Sequence, residues 1–134
     1  MVGSVNMKLL LDTHIFLWLN QEPEKLPTHI LELCEDRKNT LFLSQVSPWE
    51  IQIKHQLGKL KLATPLATMI ETQQRENDLQ ILAITLPHIY ALSELENHHN
   101  DPFDRLLIAQ AKTESMLIIT MDSKIKMYSV MTCL

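Results

Sequence analysis

Glycine is almost missing from this chain: Gly3 and Gly58 are the only two in 134 residues. Without a glycine-rich segment there is no phosphate-cradling loop of the nucleotide-binding type. Cysteine is equally scarce. Cys34 and Cys133 lack zinc-site spacing and are too few for a secreted disulfide scaffold. Long apolar runs are absent as well, since none approaches the ~18 residues of a membrane span. Lys8 is followed by only Leu9-Leu10-Leu11 before Asp12 interrupts, so no signal-peptide core is evident. These absences point to a protein of the reducing cytoplasm with no membrane contact. An excess of basic charge is lacking too: 12 Lys+Arg stand against 16 Asp+Glu, a formal net charge of -4. That balance argues against coating nucleic acid by bulk charge, but leaves room for a local basic site.

What is present is a globular composition, 46% hydrophobic and 21% charged. A length of 134 residues suits one domain able to fold without staples. Met1–Asn6 carries no periodic pattern and reads as an extension, with Met7 an equally good start.

The apolar run Lys8–Leu11 reads as a buried strand, and Leu26–Glu35 has the spacing of a helix face. Thr40–Ser44 reads as a second strand. Ser47-Pro48-Trp49-Glu50 has the form of a helix start, with Ser at the N-cap, Pro at N1 and Glu at N3; that helix stops near Gly58. A helix from Thr64-Pro65 to about Asn77 precedes a strand at Leu79–Ile84. A short helix opens at Pro87, another at Asp101-Pro102, and Met116–Thr120 is again a strand. Lys126–Val130 fits a last edge strand. Strands alternating with helices imply crossover connections and an α/β fold built on a parallel sheet.

Asp occurs at six positions, and two of them, Asp12 and Asp122, follow apolar strands at their carboxyl ends. In parallel sheets that edge is where ligands bind. Glu50 and Asp104 fall in the first turns of helices that would begin at the same edge. Four clustered carboxylates repel one another unless a cation is present, and oxygen ligands favour Mg²⁺ or Mn²⁺. All of these acids but Asp12 also have a structural explanation. Glu50 fits a capping box, Asp101 an N-cap, Asp104 a favoured first-turn acid and Asp122 a turn former; Asp12 alone has no obvious cap role.

At these residues the chain resembles the PIN-domain family, in the group that includes VapC-type toxins of toxin–antitoxin pairs. The resemblance rests on Leu9-Leu10-Leu11-Asp12-Thr13-His14 and on Ser47-Pro48-Trp49-Glu50-Ile51 with Lys54 and Gly58-Lys59-Leu60. Asp101-Pro102-Phe103-Asp104-Arg105 through Ala111 and then Thr120-Met121-Asp122 complete it, in family order. It implies a three-layer α/β/α sandwich around a parallel sheet, and a metal-dependent endoribonuclease. Asp12, Glu50, Asp104 and Asp122 match the acids that hold one or two Mg²⁺ or Mn²⁺ ions. Asp101 matches a further acid, read as a cap or outer-shell residue, and Thr13 and Thr120 would orient water or a carboxylate. Homodimerisation and inhibition by an antitoxin peptide in the groove are also implied. Asn100 departs from the Arg that related sequences often carry before this Asp.

An acidic chain still needs cations to hold RNA. Lys54, Lys59 and Lys61, with His55, form an acid-free basic stretch; it reads equally as a phosphate track or as a solvated helix end. Arg105 suits a phosphate contact or an ion pair with Asp101 or Glu50, and Lys124 and Lys126 are similarly ambiguous. Trp18 and Trp49 have the chemistry to stack on bases, although packing is the favoured reading. His14 and His99 read as structural or surface residues. The rival functions are a non-catalytic RNA- or protein-binding module of the same fold and a small Mg²⁺-dependent phosphatase or signalling domain of doubly wound type. The latter is disfavoured because Asp12-Thr13-His14 lacks a second Asp two residues on.

Overall fold

A computed structural model describes residues 6–97, 100–122 and 132–133. Strand β1 (Lys8–Leu11) pairs in parallel with β2 (Thr40–Ser44) on one side and with β4 (Leu117–Ile119) on the other. β3 (Gln80–Leu82) lies outside β2, and β5 (Thr132–Cys133) outside β4, giving an all-parallel order β3-β2-β1-β4-β5. The expected last strand at Lys126–Val130 lies outside the described residues.

Leu9, Leu10 and Leu11 are wholly buried because the central strand is covered on both faces. Side chains alternate along a strand, and here each face has its own core. Leu9 and Leu11 join Ile15, Phe16, Ile30 and Met69 from α1 (Thr13–Gln21), α2 (Thr28–Glu35) and α4 (Leu66–Asn77). Leu10 joins Leu107, Ile108 and Ile118 on the face covered by α6 (Pro102–Glu114), against which α5 (Leu86–Ala91) packs. Each fully buried Leu or Ile is worth about 1.5–3 kcal/mol relative to exposure. Cys34 is buried in the first core, as its helical neighbours suggested.

Two local outcomes differ from expectation. α1 has no counterpart in the sequence reading. Five of its nine residues, Ile15–Leu19, form one unbroken apolar run that shows no helical period, and Asp12 at its N-cap makes no side-chain capping bond. α3 (Val46–Gln56) begins before Ser47, with Gln45 at its N-cap, so Ser47-Pro48-Trp49-Glu50 is not a capping box. Instead Ser44 Oγ accepts the Val46 N–H, which lets the helix start directly off β2 and leaves Ser47 and Glu50 buried. α3 does end as expected. Gly58 has φ +73°, and Lys59 N donates to Lys54 O while Gly58 N donates to His55 O, a Schellman turn that requires a left-handed residue.

A buried polar group ties α5 to α6. His88 Nδ1 accepts the Thr85 N–H at 3.0 Å, which leaves the ring proton on Nε2, 2.8 Å from Glu114 Oε2. Gln110 Nε2 lies 3.4 Å from the same Nδ1, while Gln110 Oε1 has no partner among the described residues.

Candidate functional site

The strand order reverses between β1 and β4, so their carboxyl ends open a crevice where outgoing chains diverge to opposite faces. Asp12 leaves β1 there, with its backbone N–H bonded to Ile119 O at 3.0 Å. Thr120, just beyond β4, donates its hydroxyl to Asp12 Oδ2 at 2.7 Å and accepts the Asp122 N–H at 2.9 Å. One threonine therefore fixes both acids of the crevice that follow strands.

The helices supply the others. Glu50 is 5% exposed, one turn into α3. Its Oε1 accepts from Thr13 Oγ1 at 2.9 Å, and Thr13 in turn shares a 2.8 Å hydrogen bond with Ser47 Oγ. Its Oε2 accepts from Lys54 Nζ at 2.5 Å, one helical turn on. Asp101 caps α6 as expected, Oδ1 accepting from Phe103 N at 2.8 Å and Asp104 N at 3.2 Å. All five acids (Asp12, Glu50, Asp101, Asp104 and Asp122) line a single cleft of about 800 Å³.

Desolvation by burial raises the Asp12 carboxyl above its ordinary value; the Thr120 hydrogen bond opposes this and is outweighed. At Lys54 burial disfavours the ammonium, yet its hydrogen bond to Glu50 and the charges of Glu50, Asp101 and Asp104 together raise it. The cleft thus holds a strongly negative field with one lysine already drawn into it.

The acids are gathered at one cleft but not closed into a cage: among the described residues no three form a group that would hold an ion as they stand. The reasons are visible in the hydrogen bonds. Glu50 is engaged by Lys54 and Thr13, Asp12 by Thr120, and Asp101 by its helix. The donor set nevertheless fits a hard cation. It is all carboxylate oxygen, and Mg²⁺ commonly keeps several waters and takes only one or two carboxylates.

Of the basic residues, Lys54 and Lys59 line the cleft; Lys61 and His55 do not, and His55 Nδ1 lies 3.1 Å from Leu60 O. Arg105 departs from the phosphate contact considered for it. It donates to Glu96 O at 3.2 Å and Leu92 O at 3.3 Å and is not among the residues lining the cleft. His99, Lys124 and Lys126 lie outside the described residues. Trp49, read as a packing residue, is 57% exposed and stands edge-on to Phe103, with ring centroids 5.2 Å apart. Ser47 was visible only as a cap. Trp18 and His14 were each weighed singly, but their joining with Leu17 into one wall was not foreseen, because it requires α1: residues 14 and 18 share a face on a helix.

A PIN-domain family model matches residues 9–130. Among curated proteins, Ribonuclease VapC22 of Mycobacterium tuberculosis (strain ATCC 25618 / H37Rv) is 25% identical over 120 residues, covering 88% of this chain and 89% of that protein. Among solved structures, VapBC2 from Rickettsia felis bound to a promoter DNA fragment superposes with a TM-score of 0.70 at 18% identity, covering 95% of this chain and 98% of the other. VapBC-1 from nontypeable Haemophilus influenzae gives 0.65 at 17% identity, covering 95% and 97%. At these identities the likenesses are of fold alone. With the family match spanning nearly the whole chain, this protein belongs to the PIN-domain family.

Proposed function

We propose that the chain is a divalent-cation-dependent endoribonuclease, the toxin of a toxin–antitoxin pair, restrained by a cognate antitoxin protein. The observation that carries this reading is the convergence of Asp12, Glu50, Asp101, Asp104 and Asp122 on one cleft at the switch point of the sheet. The names of the relatives support the reaction and the partner: a VapC ribonuclease, and VapB–VapC complexes.

Asp12, Glu50, Asp104 and Asp122 are the residues that would hold Mg²⁺ or Mn²⁺, directly or through water. When bound, such an ion activates water and offsets charge developing on a phosphodiester. The chain's own groups do the rest. Thr120 orients the Asp12 carboxylate, and Thr13, anchored on Ser47, orients Glu50. Lys54 holds its proton firmly in this field and, with Lys59, offers cations to a phosphate strand entering the cleft. Asp101 sets the start of α6 and thereby the position of Asp104.

The test is cleavage of a single-stranded RNA panel by purified protein with Mg²⁺, with Mn²⁺, and after EDTA. Cleavage that disappears with EDTA and returns with either cation is expected. A chain that cuts no RNA with any cation would instead be a non-catalytic binding module.

A further inference from the structure

The acidic cleft has a second wall of different chemistry. His14, Leu17 and Trp18 of α1 line it, joined by Leu60, which the Gly58 turn brings back, and by Met121. Trp18 is half-buried, resting on the core under the sheet, while His14 is exposed and stands edge-on to it, centroids 5.3 Å apart at 67°. A hydrated cation and a phosphate have no use for an apolar, aromatic wall. An unstacked nucleobase does, because single strands are held by aromatic faces beside cations that follow the backbone. Both halves are present: Lys54 and Lys59 line the same cleft, and Lys59 pairs with no carboxylate among the described residues. The cleft, at about 800 Å³, is in the size range of sites that enclose an organic ligand. Anchoring of Trp18 on the core lowers the ordering cost of stacking.

We propose that the His14–Trp18 wall is a nucleobase subsite, stacking the base of a nucleotide adjoining the scissile phosphate and favouring the larger face of a purine there. This rests on the endoribonuclease reading above. Trp18 is a specificity residue that touches substrate, while the acids act on the phosphate.

The experiment uses the full chain and a single-stranded RNA oligonucleotide with a mapped cut, remade with an abasic nucleotide on either side of that cut. Trp18→Leu keeps apolar bulk for the core and removes the π-face; Trp18→Phe keeps a π-face. Expected for Trp18→Leu is a loss of roughly 5- to 100-fold in kcat/KM, mainly through KM, with Trp18→Phe retaining most of the activity. Wild-type protein should lose a similar factor on one abasic substrate, and Trp18→Leu should lose little further on that same substrate. Purine preference at that position should fall with Trp18→Leu. If Leu and Phe variants behave alike, or if wild type cuts abasic and intact RNA equally well, the subsite is overturned while the nuclease reading stands. Wild-type protein that cuts no RNA overturns both. Should Trp18→Leu not fold, the wild-type abasic comparison and Trp18→Phe decide the matter.

Discussion

Two of the groups of buried polar side chains among the described residues are built on opposite plans. Between α5 and α6, His88 is wholly buried and both ring nitrogens are engaged, by a backbone N–H and by Glu114. Glu114 is partly exposed, so water shares its charge. At the carboxyl edge of the sheet, Asp12 and Glu50 are both buried, yet the cations facing them are few, and Asp12 is held above its ordinary pKa by desolvation. At His88 the cost of burying a polar ring is offset within the fold, with only the neighbouring Gln110 Oε1 left without a partner among the described residues. The cleft leaves part of that cost standing, as sites that act on ligands commonly do. Comparing the two separates polar burial that serves packing from polar burial that awaits a ligand.

Asp12→Asn should break the comparison most sharply. Cleavage of RNA is expected to fall on the order of 10²-fold or more, read as kcat with saturating Mg²⁺. Stability should move the other way. A carboxyl whose folded pKa is raised contributes stability at low pH that is lost as pH rises from the unfolded value through the folded one. At neutral pH in EDTA the Asn variant should therefore melt higher than wild type, and that advantage should vanish in acid. Added Mg²⁺ should raise the Tm of wild type more than that of the variant.

His88→Leu should show the reverse pattern. Loss of its hydrogen bonds is expected to cost about 1–3 kcal/mol in urea unfolding, while kcat per folded molecule holds. A large drop in kcat would mean that the α5–α6 group communicates with the cleft. The smallest effect is expected from Gln110→Leu. It removes one long hydrogen bond along with an orphaned buried oxygen, so stability should stay within about 1 kcal/mol of wild type or rise.

The sequence made the parallel sheet legible because Lys8–Leu11, Thr40–Ser44 and Met116–Thr120 are short apolar runs closed by polar residues. It made α6 legible because Asp101-Pro102 is a true cap, with both expected bonds in place. α3 misled for an instructive reason: Ser47 and Glu50 have capping identity and spacing, but their oxygens face Thr13 across the fold rather than their own backbone. No local rule distinguishes the two uses. Only the return of β1 beside β2 does so. The acids of the cleft could be named from their positions after strands and at helix starts. Their engagement by Thr120 and Thr13 depends on long-range geometry, as does the meeting of the α1 wall with Leu60, whereas Lys54 reaches Glu50 from one helical turn on.

The hydrogen bond between Thr120 and Asp12 joins residues 108 positions apart, and it has a consequence for synthesis. Asp12 is translated well before Asp104, Thr120 and Asp122, and β4 must come in beside β1 before the cleft exists. A nascent chain that stops short of β4 has neither the threonine that sets Asp12 nor the acid that follows it. On the proposed reading, an enzyme hostile to RNA stays inert on the ribosome until β4, Thr120 and Asp122 have been made and have docked beside β1.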